Sequence, residues 1–321
     1  MANYKDFGFV NTKQLYKDAY DGGYAVAGFN FVTLEQLLAI VYACMETKAP
    51  FLLQGSANVR KLITPQMTQR MSQAAIEIME AEGKVVPMAL HLDHGLKYED
   101  CVSCIDSGFS SVMIDGSALP YEENIELTAK VAEYAHKYDV TVEGELGILS
   151  GIEEDVVHTE SRYTDPAQVE DFVKKTGVDS LAISIGTSHG VAKFKLEPGQ
   201  TPPPLRFDIL EEVQNKLPGF PIVLHGASSI LTEYVEMFNK FGGKLQQAQG
   251  IPEDQIKKAV QMAVCKINIA SDGWIAMTAA TRKSLADNPT SIDPRKFLKA
   301  ARAEMTKVYI RKNTETTLFD K

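Results

Sequence analysis

Residues 87–94 read PMALHLDH, an apolar run that ends in an aspartate and a histidine. A strand buried on both faces reads as near-continuous hydrophobic sequence, as the strands of parallel sheets do. Seven further runs have the same character: YAVAGFN (24–30), PFLLQGS (50–56), SVMIDGS (111–117), TVEGELG (141–147), SLAISIG (180–186), PIVLHGAS (221–228) and VCKINIA (264–270). Helical periodicity fills the intervals, at 33–47, 65–82, 98–107, 122–138, 166–176, 205–217, 253–262 and 274–287, and again at 294–308. Eight strands alternating with helices predict a parallel sheet. An open doubly wound sheet is the competing arrangement. No GxGxxG follows the first strand, and polar residues gather at strand ends, so the pattern favours an α/β fold closed as a (β/α)8 TIM barrel.

The 321 residues are expected to form a single domain spanning 1–321. Two long loops, 147–165 and 191–204, and a C-terminal helical segment extend it. Long loops after barrel strands belong to the binding face. A net charge of -9 disfavours nucleic acid and anionic membrane as partners, while leaving room for a small anionic substrate held by a few placed groups. The N-terminus carries no secretory pattern, and no long uncharged apolar segment occurs, so a cytoplasmic location is expected. Cys101 and Cys104 form a CxxC inside KYEDCVSCIDSG, with no second pair; two reduced helical thiols are the expected state.

Barrel chemistry sits at the C-terminal ends of the strands. There the chain places Asn30, Ser56, Asp93 with His94, Asp115, Glu143 with Glu145, the turn GTSHG (186–190), the turn HGASS (225–229) and Asn268. Three of the six histidines, His94, His189 and His225, close the third, sixth and seventh strands. Three imidazoles converging on one point form the ligand set of a catalytic Zn²⁺ site with an open position; softness and geometry leave Co²⁺ and Mn²⁺ open as well. His91 shares a strand face with Asp93 and reads as support for the ligands. His136, in a helix, and His158, in a loop, read as surface residues. The two small turns can cradle a phosphate on backbone N–H groups, and Lys193 adds a point charge.

The motifs GFN (28–30), HLDHG (91–95), SVMIDGS (111–117), EGELG (143–147), GIEEDV (151–156), GVDSLAISIGTSHG (177–190), KFK (193–195), LHGASS (224–229), VCKINI (264–269) and DPRKF (293–297) run in this order over nearly the whole chain. They resemble those of the class II, metal-dependent fructose-bisphosphate aldolases. The resemblance implies a zinc-dependent, reversible retro-aldol cleavage of a bisphosphorylated ketose to dihydroxyacetone phosphate and glyceraldehyde 3-phosphate, in glycolysis and gluconeogenesis. It implies His94, His189 and His225 as metal ligands, with Glu145 a carboxylate near the metal. Asp93 is implied as the acid/base at the C4 hydroxyl, and Glu154, beside Glu153, as the carboxylate handling the C3 proton. Gly190, Lys193, Gly226, Ser228 and Ser271 are implied for the C1 phosphate, Asn268 for the triose part, and Asn30 and Ser56 for substrate and second phosphate. Arg295 is implied to reach a neighbouring subunit's phosphate, hence a homodimer or homotetramer. A monovalent cation beside the one catalytic ion is left open.

Lys266 is the one lysine placed for a Schiff base, a minor rival to the three-histidine site. Three positions depart from the fructose pattern: Ala270 stands for an Asp, Trp274 for an Arg and Ala118 for a His. Ala270 resembles the tagatose-bisphosphate branch, so tagatose or another ketose phosphate is the alternative substrate. A non-catalytic paralogue binding a phosphorylated ligand is the alternative of another class.

Overall fold

The structure is a computed structural model describing residues 2–153, 156–158, 161–190, 202–246 and 248–319. Its strands are β1 (Val26–Asn30), β2 (Phe51–Gly55), β3 (Met88–Gly95), β4 (Ser111–Ile114), β5 (Thr141–Leu146), β6 (Gly151–Glu153), β7 (Val156–His158), β8 (Ser180–Ile183), β9 (Ile222–Leu224) and β10 (Val264–Ile269). All but β6 and β7 close into one parallel barrel in the order β1-β10-β9-β8-β5-β4-β3-β2. The eight expected strands are these eight, and the barrel prevails over the open sheet. No helix among the described residues is long and apolar enough to cross a membrane.

Alternation along each strand sorts the side chains. Outward positions such as Phe29, Leu53, Leu90, Val142 and Ile267 join the large apolar cluster against the helices. Inward positions form layers. The lowest packs Val26, Leu52, Ala89 and Cys265 against Leu15, Tyr16 and Ala19 of the helix Thr12–Gly22, which thereby plugs the N-terminal end of the barrel. Higher up the interior turns polar. Register pairs Val26 with Lys266, Gly28 with both Asn268 and Leu52, Asn30 with Gln54, and Gln54 with His91. Gly28 leaves room for its inward neighbours: a Cβ there would lie 2.3 Å from Gln54 Oε1 and 3.0 Å from Lys266 Cε, so both side chains would have to move.

Several expectations need correcting. Two strands are shorter than the expected 180–186 and 221–228: β8 ends at Ile183 and β9 at Leu224, leaving 184–190 and 225–229 as turns. The helix expected at 274–287 begins at Ser271. Three helices were unforeseen, Thr12–Gly22, Ala57–Ile63 and Thr232–Lys240. The loop 147–165 contains the antiparallel pair β6–β7 and a bridge between Ile148 and Arg162, so His158 ends a strand and does not lie in a loop. His136 ends the helix Tyr121–His136 at the surface, where it pairs with Asp179 at 2.9 Å.

Candidate metal centre

Asp93 and His94 sit where β3 departs from regular pairing. The register with β4 shifts between Leu92 and Gly95, and His94 has φ 47°, in the left-handed region. A non-glycine residue held there is strained, and such strain clusters at functional sites. The bulge lets consecutive side chains, which would otherwise point to opposite faces, both serve the barrel mouth.

His94, His189 and His225 are all buried, each offering a ring nitrogen within 4.8 Å of the others. Their ring centroids stand 4.6 Å (His94–His225), 5.2 Å (His94–His189) and 6.4 Å (His189–His225) apart. Carboxylates hold the far side of two rings. His94 Nδ1 lies 3.1 Å from Asp115 Oδ2, and His225 Nε2 lies 2.6 Å from Glu143 Oε1. An N–H donated to each carboxylate leaves His94 Nε2 and His225 Nδ1 as lone-pair atoms, and these face each other at 2.9 Å. Together with His189, two nitrogens so placed are near enough to share one cation. The donor set of three neutral imidazoles fits a divalent metal of the zinc type. A second group, His94, Asp115 and Glu145, also brings its ligand atoms within 4.8 Å, with Glu145 Oε2 3.8 Å from His94 Nδ1.

Burial pushes the His225 pKa below the ordinary imidazole value, helped by nearby His94 and Lys266 and opposed by Glu143. Burial and then Lys266 push that of His91 well below it. Burial would raise the two carboxyls, but their partners prevail: Lys266 and His225 hold Glu143, and His94 and Ser117 hold Asp115, well below the carboxylate range. His225 is thus favoured in its neutral form, and the two supporting carboxyls as carboxylates.

Below the three histidines lies a continuous polar chain. Lys266 Nζ donates to Glu143 Oε2 at 2.9 Å and approaches His91 Nε2 at 3.4 Å, while His91 Nδ1 meets Ser111 Oγ at 2.8 Å. Lys266 is therefore committed to an ion pair, which removes the Schiff-base rival, and His91 stands as support, as the sequence suggested. Asp93 is held by two amides: Asn30 Nδ2 donates to Oδ2 at 2.8 Å and Asn268 Nδ2 to Oδ1 at 2.9 Å. Asn268 Nδ2 is also 3.0 Å from His225 Nδ1, so a single amide links aspartate and ligand. Its Oδ1 is buried with no hydrogen-bond partner among the described residues, an acceptor open to a hydroxyl.

The two small turns stack on each other. Gly226 has φ 62°, and a Cβ on it would lie 2.7 Å from the Ser188 carbonyl carbon; Gly190 has φ 84°. Ser228 and Ser271 are both buried, and Ser271 opens a helix whose N-terminus lacks a side-chain cap. Uncapped N–H groups with the helix dipole form a ready anion site. Ser56 is buried and caps the helix Ala57–Ile63, its Oγ accepting from Val59 N–H at 3.3 Å. Arg295 is exposed and bonds Asp293 at 2.8 Å. Glu154 and Lys193 lie outside the described residues.

The supporting roles of Asp115, Glu143, Lys266 and Gln54, whose Nε2 donates to Asn30 Oδ1 at 2.8 Å, do not follow from the sequence reading. Glu143 and Asp115 were visible as strand-end acids, and inward alternation was the available signal.

The family described as "Fructose-bisphosphate aldolase class-II" matches residues 10–319. Among curated proteins, the fructose-bisphosphate aldolase of Treponema pallidum (strain Nichols) is 56% identical over 324 residues, covering 98% of each chain. That of Giardia intestinalis is 41% identical over 300 residues, covering 94% of this chain and 90% of its own. Among solved structures, the YdjI aldolase from Escherichia coli K12 superposes with TM-score 0.74 at 26% identity, covering 98% of this chain and all (100%) of its own. The fructose-bisphosphate aldolase from Campylobacter jejuni, at 21% identity and TM-score 0.70 over 100% of both chains, shares the fold.

Proposed function

Because this chain belongs to the class II fructose-bisphosphate aldolases, metal-dependent lyases, we propose that it cleaves fructose 1,6-bisphosphate reversibly between C3 and C4, with Zn²⁺ held by His94, His189 and His225. The observation that carries this reading is the cluster of three buried imidazoles, two of them oriented by carboxylates with their second nitrogens 2.9 Å apart, one amide away from Asp93. Bound there, a divalent cation supplies Lewis-acid stabilisation of the charge that C3–C4 cleavage leaves on the dihydroxyacetone phosphate half. Glu145 is the further carboxylate within reach of the metal.

Asp93 takes the proton of the C4 hydroxyl as the bond breaks. Asn30 and Asn268 fix its two oxygens, so the carboxylate is oriented before substrate arrives. The open acceptor of Asn268 receives a substrate hydroxyl. Glu154 returns a proton to C3 from the long loop. Gly190, Lys193, Gly226, Ser228 and Ser271 hold the C1 phosphate, and Ser56 lies toward the second. Arg295, exposed on its own chain, reaches the distal phosphate of a neighbour in a homodimer or homotetramer, which sedimentation in solution tests.

Ala270 favours a second reading. It is the buried residue just before Ser271, where the fructose pattern has an acid, and a lost hydrogen-bond partner alters discrimination between sugars that differ at one stereocentre. Assay of the purified protein on fructose and tagatose bisphosphates decides between them. Greater kcat/KM on the fructose compound is expected; cleavage of the tagatose compound alone would reassign the substrate.

A further inference from the structure

The turn that follows Ser228 is gripped by a buried lysine with no part in the chemistry above. Lys312 opens the π-helical turn Lys312–Thr316 that ends the helix Pro294–Arg311, and it is 1% exposed. Its Nζ lies 3.2 Å from Asp272 Oδ1 and 3.7 Å from Glu253 Oε1, and it donates to Ser229 Oγ. Asp272 Oδ1 accepts the backbone N–H of Ile230 at 3.0 Å. Ile230 has φ 49°, a conformation a β-branched residue adopts only when its surroundings impose it.

Other contacts tighten the same turn. Ser229 Oγ donates to Glu253 Oε1 at 3.2 Å, and Ile251 N–H bonds Ser228 O at 3.1 Å. Gly250 packs backbone to backbone, since a Cβ on it would fall 2.2 Å from the Ser229 carbonyl carbon. The π-turn is itself tied down: Thr317 N–H bonds Lys312 O at 2.9 Å, Ala25 N–H bonds Thr317 O at 2.9 Å, and Asn313 Nδ2 donates to Thr47 Oγ1 at 3.0 Å. A buried ion pair is no better for stability than a well-packed apolar side chain, so its presence behind a binding turn points to geometry.

We propose that Lys312 is a positioning residue for the substrate's C1 phosphate. Through Asp272 and Ser229 it fixes the strained turn 228–230 in the conformation that presents Ser228 and the adjoining N–H groups to the anion. The proposal rests on the reading of Gly226, Ser228 and Ser271 as the phosphate cradle.

Inorganic phosphate is the probe. In the zinc-loaded full-length enzyme, Lys312→Met is expected to raise the competitive inhibition constant of phosphate and the KM for fructose 1,6-bisphosphate about tenfold, with kcat reduced less than about threefold. Bound metal should be unchanged. Asp272→Asn keeps an oxygen for Ile230 N–H while removing the charge that holds Lys312, and it serves as the test if Lys312→Met fails to fold. It should raise the same two constants, and the double variant should raise them no further than the larger single effect, as groups acting as a unit do. Folded variants with the parent's phosphate inhibition constant, altered only in kcat or thermal stability, would overturn the proposal and leave the cluster structural. A parent enzyme that phosphate does not inhibit competitively overturns the cradle itself, and the proposal with it.

Discussion

Asp93 and Glu143 are both buried acids inside one barrel, yet their surroundings give them different work. Among the described residues, the side-chain donors to Asp93 are the amides of Asn30 and Asn268, which orient both of its oxygens. Glu143 meets the ammonium of Lys266 and the ring of His225, and its carboxyl is held far below the ordinary range. Asp93→Asn keeps size and loses the base, so kcat should fall by about 10²–10⁴ with metal content retained, measured by cleavage assay and elemental analysis. Glu143→Gln strands a buried lysine and should cost about 3–5 kcal/mol in denaturant unfolding, most of it recovered in Glu143→Gln with Lys266→Met. The pH dependence follows from the sign. A carboxyl whose folded pKa is depressed contributes its stability above the unfolded value, 4.5, and loses it only as pH falls through the lower folded value. The coupling in this double-mutant cycle should therefore be the same at pH 5 as at pH 8, within about 0.5 kcal/mol; a coupling lost by pH 5 would refute the assignment.

At the scale of elements, strand ends and turns carry the site. Gly226 stands where a left-handed φ coincides with backbone contact to Ser188, so Gly226→Ala should cost about 1–3 kcal/mol and lower kcat/KM at least about tenfold through the phosphate turn, checked by unfolding and kinetics. The helix Tyr98–Asp106 turns its CxxC inward, both thiols buried and Cys104 pushed up to about 12, as are Cys44 and Cys265. A thiol whose folded pKa is raised contributes stability below its unfolded value, near 9, and loses it as pH rises toward 12. The native protein at pH 8 should therefore leave its thiols unreactive to a disulfide reagent until denaturant exposes all four, and stability should decline above pH 9. A rapidly reacting Cys101–Cys104 pair would reopen a redox role.

These elements also divide what could be read in advance from what could not. His94, His189, His225, Asp93 and Asn268 announce themselves because a polar side chain at the end of an apolar run has few structural uses. The ends of β8 and β9 did not, because Gly-Thr-Ser and His-Gly-Ala continue the small, apolar character of the strands while turning away. The helix Thr12–Gly22 escaped because it buries only Leu15, Tyr16 and Ala19 beneath the barrel, with Thr12 at its start, a stripe too narrow to stand out. The partnerships of Glu143 with Lys266 and of Asp115 with His94 join residues 123 and 21 positions apart, and only the barrel's register brings them together.

For the molecule as a whole, the barrel separates two tasks along its axis. Its N-terminal end is closed by an apolar plug and its middle by the Lys266–Glu143–His91 chain, while its C-terminal end carries the histidine cluster and the glycine- and serine-rich turns. Stability is built low and chemistry high, with a polar layer translating register into ligand orientation. The account stands on the metal. Protein stripped with EDTA, then titrated with Zn²⁺ while bound metal and cleavage of fructose 1,6-bisphosphate are followed together, should begin inactive and gain rate linearly to a break at about one ion per chain, a break that His94→Ala abolishes. Undiminished cleavage by protein carrying no divalent ion would contradict it.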